Sequence, residues 1–208
     1  MSLENIFREL QSIFSDQLEI ERKAIKALQN ASFQDYKPDT HTSLPKEFVN
    51  VMQEEQAHEI CKSILKAELD WCPPNTSTDK LYIEHSKRKA HVEILGPNGL
   101  IKSDMVRIGL YGMLSQSEYG IRTHPAEEIY IALAGVSYWK RGNEKYKMLL
   151  PGERSFHPSL MPHSSKTANK AFMSFMCGVV TDRLTSIFLK ACQLIKNLGS
   201  IKRIIRNF

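Results

Sequence analysis

Residues 124–135 read HPAEEIYIALAG, and this stretch sets the interpretation of the rest of the chain. Its β-branched and aromatic residues, followed by Gly135, predict a strand. Side chains of a strand alternate between two faces, so His124, Glu128 and Tyr130 share a parity and can point into one barrel interior. Burying an imidazole, a carboxylate and a phenol on one inner face is costly unless they bind something.

A second stretch of ligand-type residues, FHPSLMPH at residues 156–163, follows the Pro151-Gly152 turn. The turn can bring His163 to the same place as His124 and Glu128. Two imidazoles, a carboxylate and an adjacent phenolic oxygen suit one divalent transition metal, whether iron, manganese, zinc, cobalt or nickel. Taken alone, each histidine is more often a structural or solvated residue, and residues 156–163 could form an irregular surface loop.

The segments around these motifs are rich in β-branched and aromatic residues and predict further strands. Turn signals such as Arg141-Gly142-Asn143 separate them. Several short strands at this spacing predict an all-β sandwich or barrel. The predicted strands are Met105–Leu114, Glu128–Leu133, Val136–Arg141, Tyr146–Leu149 and Ala171–Val179.

The N-terminal part of the chain has a helical pattern. Apolar residues at helical spacing over residues 3–30 predict one long helix or two short ones. Residues 31–45 form a polar linker with two prolines, and Ser43 is predicted to cap a second helical stretch that stops before Pro73.

The chain is therefore predicted to have three parts. Residues 1–78 form a helical extension that packs on the barrel, residues 79–182 form the β-barrel with the metal site, and residues 183–208 form a C-terminal helix and a basic tail. The charge of +5 comes from that tail, because the first 182 residues carry 22 basic and 23 acidic residues. The lysine-rich run at residues 87–89 is predicted to be a solvated strand edge or turn.

Composition excludes several classes of protein. A near-neutral body argues against a nucleic-acid partner. No apolar run approaches the roughly 20 residues of a transmembrane helix, and the N-terminus does not resemble a signal peptide, so a cytoplasmic location is expected. The four cysteines (Cys61, Cys72, Cys177 and Cys192) form no Cys-x-x-Cys pair, which argues against a structural zinc site and a disulfide framework.

The two ligand-bearing stretches resemble the two motifs of the cupin superfamily. The first cupin motif is Gly-x5-His-x-His-x3,4-Glu-x6-Gly. Its second half is matched by His124, Glu128 and Gly135, with three residues between the first two and six between the last two. The second cupin motif is Gly-x5-Pro-x-Gly-x2-His-x3-Asn. It is matched by Gly152, Pro158 and His163, with five residues between the first two and four between the last two, and Leu160 stands in place of the motif's second glycine. The resemblance implies a mainly β fold, a cupin jelly-roll barrel, and favours metal binding by His124, Glu128 and His163.

One departure narrows the resemblance. Arg122 stands where the superfamily usually has its first metal-binding histidine, and Tyr130 could supply the fourth ligand in its place. This ligand set of two histidines, one glutamate and one tyrosine is similar to that of the cupin-type dimethylsulfoniopropionate (DMSP) lyases of marine bacteria. The sequences of Glu118-Tyr119-Gly120 and of residues 124–135 and 151–163 are similar to theirs as well.

That resemblance implies a reaction and a set of roles. The substrate is a small zwitterion, and metal-assisted β-elimination yields acrylate, dimethyl sulfide and a proton. Tyr119 is the implied base, with Arg122 and the metal favouring its phenolate; Tyr130 alternates between metal ligand and hydrogen-bond donor. His157 is expected to orient a ligand or the substrate. Candidate aromatic walls for the sulfonium are Tyr111, Tyr138, Trp139, Phe172 and Phe175.

Two other functions remain open at this point. A cupin isomerase or dioxygenase acting on another small carboxylate would share the fold and ligands, and a non-catalytic small-molecule-binding cupin would share the pocket. The N-terminal helices also have apolar faces that could pack on a second subunit, so a homodimer is a further prediction.

Overall fold

The computed structural model describes residues 3–33, 42–75 and 78–180. The helices are α1 Leu3–Ile13, α2 Glu19–Gln29, α3 Lys46–Met52, α4 Cys61–Leu65 and α5 Lys80–Ser86. The strands are β1 Lys89–Gly96, β2 Ile101–Lys102, β3 Arg107–Met113, β4 Glu118–Arg122, β5 Ala126–Gly135, β6 Ser137–Arg141, β7 Lys147–Leu149, β8 Arg154–His157, β9 His163–Lys166 and β10 Phe172–Val180. The predicted C-terminal helix, the basic tail and Cys192 lie outside the described residues.

The strands form two sheets. Six strands form one sheet in the order β2-β1-β3-β10-β5-β8, and four form the other in the order β4-β9-β6-β7. Every named pairing is antiparallel except that of β1 with β2. This mainly β architecture preceded by helices is the one that the sequence predicts.

The six-stranded sheet is buried on both faces. The inner face of this sheet meets the four-stranded sheet across an aromatic interior. The buried residues of that interior, which come from both sheets, are Tyr111, Met113, Tyr130, Ala132, Trp139, Leu149 and Phe172. Its outer face belongs to the main apolar core, which it shares with α1–α4. Because neighbours on a strand face opposite ways, Glu128 and Tyr130 of β5 lie inside the barrel while Ile129 and Ile131 lie beneath the helices.

Glycines permit two close approaches that this arrangement needs. A Cβ at Gly112 would lie 2.7 Å from Cε1 of Phe48, so the absent side chain lets α3 seat its aromatic ring on the sheet. Gly135 ends β5 with φ +70°, and a side chain there would collide with the Ala171 carbonyl.

The structure corrects parts of the helix prediction. Residues 3–30 form two helices, one of the two alternatives given. The second stretch is also two helices, α3 and α4, separated by turns in which the His58 N–H donates to the Leu133 carbonyl at 2.7 Å. Ser43 does not cap α3, since Pro45 is its N-cap residue and its carbonyl accepts from the Phe48 N–H at 3.0 Å.

The strand prediction missed β1, β2, β4, β8 and β9, which are short or contain several polar residues. Lys89 is a further correction, because it begins β1 and is only 5% exposed instead of solvated. The cysteines are free as predicted where they are described, with Cys61 and Cys177 buried and Cys72 exposed. No helix between Leu3 and Ser86 is long and apolar enough to cross a membrane.

A buried charge ties α2 to the barrel. The Glu21 side chain is fully buried and accepts hydrogen bonds from Ser15 N and Oγ, from Leu18 N and from Arg154 Nε of β8. Burial alone would raise the pKa of Glu21, but the hydrogen bonds from Ser15 and Arg154 outweigh it and lower that pKa below its ordinary value.

We therefore predict that Glu21→Gln lowers the free energy of unfolding by about 2–3 kcal/mol at neutral pH, because it removes the charge that Arg154 and Ser15 neutralise. Since the pKa of Glu21 is lowered on folding, its contribution is full above the ordinary value of 4.5 and is lost as the pH falls through the lowered pKa. Urea denaturation of both proteins at pH 7 and pH 3 measures the difference.

Glu19→Ala is the matched control on the same helix. Glu19 pairs with Arg22 at 3.0 Å with both side chains more than half exposed, so we expect a loss below about 1 kcal/mol. Equal losses in the two variants, or a loss for Glu21→Gln that does not shrink at low pH, would contradict the assignment.

Candidate metal centre

Three ligand-type side chains meet inside the barrel. Glu128 points inward from β5; His163 begins β9 of the opposite sheet; His124 lies in the loop just before β5. One carboxylate oxygen, Glu128 Oε2, is 3.3 Å from His124 Nε2 and 3.4 Å from His163 Nε2. One ligand atom from each residue lies within 4.8 Å of the others.

Backbone carbonyls orient both imidazoles. His124 Nδ1 is 3.1 Å from the Ala126 carbonyl, and His163 Nδ1 is 2.9 Å from the Met161 carbonyl. A carbonyl only accepts, so in each ring Nδ1 carries a proton, and Nε2 is the nitrogen whose lone pair a metal would take. The strand-parity argument placed His124 correctly next to Glu128, but this carbonyl contact, not strand alternation, positions it.

The donor set fits a divalent metal. Among the described residues, the buried His163 Nε2 makes no well-formed hydrogen bond, and its contact with Glu128 Oε2 is long at 3.4 Å. In protein transition-metal sites, imidazole nitrogens and carboxylates face a common point, and each imidazole is held through its other nitrogen. Two imidazoles and one carboxylate have this arrangement here.

The local charges favour an ionised Glu128. Burial would raise the pKa of Glu128, but interactions with His124 and His163 outweigh it and hold that pKa at about 2. The interaction with Glu128 in turn raises the pKa of His124. The carboxylate is therefore charged at neutral pH, as metal binding requires.

Tyr130 lies beside the same carboxylate. Its hydroxyl donates to Glu128 Oε2 at 3.2 Å, and its ring is 4.4 Å from the ring of Trp139. Burial, and then the negative charge of Glu128, raise the pKa of Tyr130 well above its ordinary value of 10.0. The tyrosine is thus a hydrogen-bond donor within reach of the ligand cluster.

His157 supports the cluster from one side. It is opposite Glu128 in the pairing of β8 with β5, and its ring stacks on that of His163 with centroids 4.3 Å apart and planes 9° apart. Burial, and then repulsion from His163, lower the pKa of His157 to about 3, so it is neutral. Its Nε2 is 2.8 Å from Ser155 Oγ.

Tyr119 and Arg122 of β4 occupy the neighbouring part of the interior. The Arg122 guanidinium lies over the half-buried Tyr119 ring, and the Tyr111 ring is 5.6 Å from the same ring. Lys89 Nζ is 4.4 Å from the centroid of the Tyr119 ring. Sequence reasoning missed Lys89, because a lysine within a basic run gives no local signal that it is buried.

The candidate aromatics divide between two places. Tyr111, Trp139 and Phe172 belong to the barrel interior. Phe175 instead packs against Phe14 beneath the helices at 5.3 Å, and Tyr138 is outside the interior cluster. Phe175 is therefore removed from the candidate sulfonium wall because strand alternation points it to the opposite face.

Comparison with known proteins agrees with this architecture. The DMSP lyase DddQ of Ruegeria pomeroyi is 34% identical over 83 residues, which are 40% of this chain and 41% of that relative. The chain thus aligns with less than half the length of the curated relative.

Two solved structures share the fold over most of both chains. The crystal structure of DMSP lyase DddQ from Ruegeria pomeroyi DSS-3 superposes with a TM-score of 0.62 at 22% identity, covering 86% of this chain and 91% of that one. A chain from the crystal structures of the DMSP lyases RdDddP and RnDddQII gives a TM-score of 0.59 at 17% identity, covering 85% and 92%. The cupin fold predicted from the motifs is confirmed.

A family model described as dimethylsulfoniopropionate lyase matches residues 19–174. That range includes α2 to α5, every ligand-type residue of the barrel interior and nearly all of the two sheets. Since the match covers most of the chain, this protein belongs to the DMSP lyase family.

Proposed function

We propose that this protein is a metal-dependent carbon–sulfur lyase that cleaves DMSP to acrylate and dimethyl sulfide. The observation that carries the proposal is a family match that includes an inward-facing cluster of two histidines and one glutamate. The polar interior next to that cluster, with Tyr119, Arg122 and Tyr111, gives a small charged substrate the contacts it needs. These observations favour the lyase over the isomerase, dioxygenase and non-catalytic alternatives.

The proposed reaction is a β-elimination. A base removes a proton from the carbon next to the carboxylate, the C–H electron pair forms the C=C bond, and the C–S pair leaves with sulfur. A divalent metal held by His124, Glu128 and His163, with Tyr130 as fourth ligand, would supply Lewis-acid polarisation of the carboxylate and so make that C–H bond more acidic. The products are acrylate, dimethyl sulfide and the proton on the base.

Tyr119 is the proposed base, and its neighbours support that role. The Arg122 guanidinium and the Lys89 ammonium both lie over its ring, and positive charge stabilises a phenolate. Tyr130 has the opposite surroundings, because its hydroxyl donates to the charged Glu128 carboxylate and would lose that bond as a phenolate. We therefore assign proton removal to Tyr119 and hydrogen bonding or metal ligation to Tyr130.

The sulfonium end of the substrate is proposed to meet aromatic rings. Tyr130 and Trp139 pack together inside the barrel, and Tyr111 is 5.9 Å from Tyr130. Ring faces attract such cations by about 0.5–2 kcal/mol, the upper end applying where water is excluded. His157 holds one side of this region by stacking on Trp139 at 5.1 Å.

The proposed activity predicts that the metal-loaded, full-length protein releases dimethyl sulfide from millimolar DMSP, with acrylate in equal amount. Headspace gas chromatography measures the first product and liquid chromatography the second. Dimethyl sulfide without acrylate, or neither product from protein with bound metal, would reject the elimination.

The proposed ligands predict that His163→Ala and Glu128→Gln lose most of their bound metal, because each removes a ligand from a cluster with only three His and Glu members. Metal analysis by mass spectrometry on purified proteins checks the stoichiometry. His58→Ala is the matched control, since His58 lies outside the barrel interior and contacts the Ile60 N–H. Wild-type metal content in both ligand variants would remove these residues from the site.

The proposed base predicts that Tyr119→Phe lowers kcat by about 10²–10⁴-fold while the protein keeps its metal, because only the proton-accepting oxygen is lost. Tyr146→Phe serves as the control, since that hydroxyl contacts Ser164 at 3.0 Å and is not part of the proposed site. Turnover and metal content are measured on the same preparations. An undiminished kcat in Tyr119→Phe would exclude it as the base.

A further inference from the structure

Lys89 is a buried cation at the edge of the barrel interior. It is paired with Met113 in the register of β1 with β3, so it shares a sheet face with Met113 and Tyr111. The residue is only 5% exposed, although lysine is almost never fully buried without a partner. Its ammonium lies 4.4 Å from the centroid of the Tyr119 ring.

A second cation lies against the same ring. Arg122, at the end of β4, places its guanidinium over Tyr119 and donates from one terminal nitrogen to the Gly120 carbonyl at 2.9 Å. Its Nε is buried and finds no hydrogen-bond partner in residues 3–33, 42–75 and 78–180. Arg122 thus retains an N–H donor that no described residue accepts from.

Neither cation has an acidic partner. Within residues 3–33, 42–75 and 78–180, no carboxylate oxygen lies within 4.0 Å of Lys89 Nζ or of the Arg122 guanidinium. Burial, and then repulsion from Arg122, lower the pKa of Lys89 to about 8. Two like charges held together in a desolvated place are unfavourable unless an anion joins them.

A third unsatisfied group is found at the same place. The Tyr111 hydroxyl is buried and has no hydrogen-bond partner among the residues that the structure describes, and the Tyr111 ring is 5.6 Å from Tyr119. The Tyr111 ring is also 5.9 Å from the Tyr130 ring, so Tyr111 lies between the two cations and the part of the interior that contains Glu128. A hydroxyl donor, a guanidinium and an ammonium around one ring form a cradle for a small anion.

We propose that Lys89 is a substrate-binding residue and that it forms, with Arg122 and Tyr111, a site for the oxygen of the substrate carboxylate that a metal at His124, Glu128 and His163 would leave free. The inference rests on the proposed function for the identity of that carboxylate, but the anion site itself rests on the buried cations. A carboxylate between them supplies the missing negative charge and accepts from donors that otherwise lack a partner. A neutral molecule of the same shape does neither.

The test is calorimetric titration of the full-length, metal-loaded protein with propionate, and with propionamide as its uncharged counterpart. We expect propionate to bind wild type at least about ten-fold more tightly than propionamide, since charge-assisted hydrogen bonds account for such a ratio. Lys89→Met, which keeps the side-chain length, should weaken propionate binding by about ten-fold or more. Lys89→Arg, which keeps the charge, should restore most of the affinity.

Lys102→Met is the matched control, because it removes the same charge from an exposed position on β2. It should bind propionate as wild type does. Metal content and melting temperature are measured for every variant, and Lys89→Gln is a second variant should Lys89→Met fold poorly. Propionate affinity that is unchanged in both Lys89→Met and Lys89→Gln overturns the proposal.

Turnover of DMSP separates this inference from the proposed function. If wild type releases dimethyl sulfide, Lys89→Met should raise KM for DMSP by a larger factor than it lowers kcat; an unchanged KM overturns the carboxylate site and leaves the lyase intact. If wild type releases none but binds propionate through Lys89, the anion site is upheld and the substrate is a carboxylate other than DMSP.

Discussion

One ionised carboxylate organises the barrel interior. Glu128 Oε2 lies within 3.4 Å of a nitrogen on each of two histidines and of the Tyr130 hydroxyl, so groups from β5, from the loop before it and from β9 converge on a single oxygen. A negative charge at this depth persists only if donors or a cation stabilise it. Each histidine is fixed by a backbone carbonyl at Nδ1, which keeps Nε2 directed at the carboxylate.

The helices matter to this site because β5 has two faces. Glu128 and Tyr130 can point into the barrel only if Ile129 and Ile131 are covered on the other side, and the main core shared with α1–α4 covers them. The contact of Phe48 at Gly112 and the bond of Glu21 to Arg154 attach α3 and α2 to the same sheet. A cupin barrel with only its two sheets would expose that outer apolar face to water, at a cost of roughly 25 cal/mol for each Å².

The interior is divided by charge. Glu128 gives one side a negative charge, although a metal there would reverse its effect on a ligand, and Lys89 with Arg122 gives the adjoining side an unpaired positive charge. Aromatic rings of Tyr111, Tyr130 and Trp139 connect these sides. A small zwitterion has a carboxylate suited to the cationic side and a sulfonium suited to the faces of these rings, so the proposed substrate and the proposed anion site are consistent with each other.

The sequence alone determined the local features of this protein. Strand alternation identified Glu128 and Tyr130 as sharing an inner face. The resemblance of two stretches to the cupin motifs and to the cupin-type DMSP lyases implied the fold, the family and metal binding by His124, Glu128 and His163. The shared face of Glu128 and Tyr130 depends on neighbours within a few residues, because backbone periodicity decides which way each side chain points. The boundaries of α3 and α4 were less predictable, because the stretch between them, residues 53–60, contains no proline or glycine that would mark a break.

Only the tertiary structure decided which distant groups share an environment. Lys89 belongs to a basic run that is typical of a solvated turn, yet the pairing of β1 with β3 and the closure of the barrel bury it beside Tyr119. Phe175 is an aromatic residue of the kind that lines a barrel, yet the register of β10 directs its side chain toward Phe14. In both cases burial and charge depend on strands that are remote in the chain, and a one-dimensional pattern does not contain those pairings.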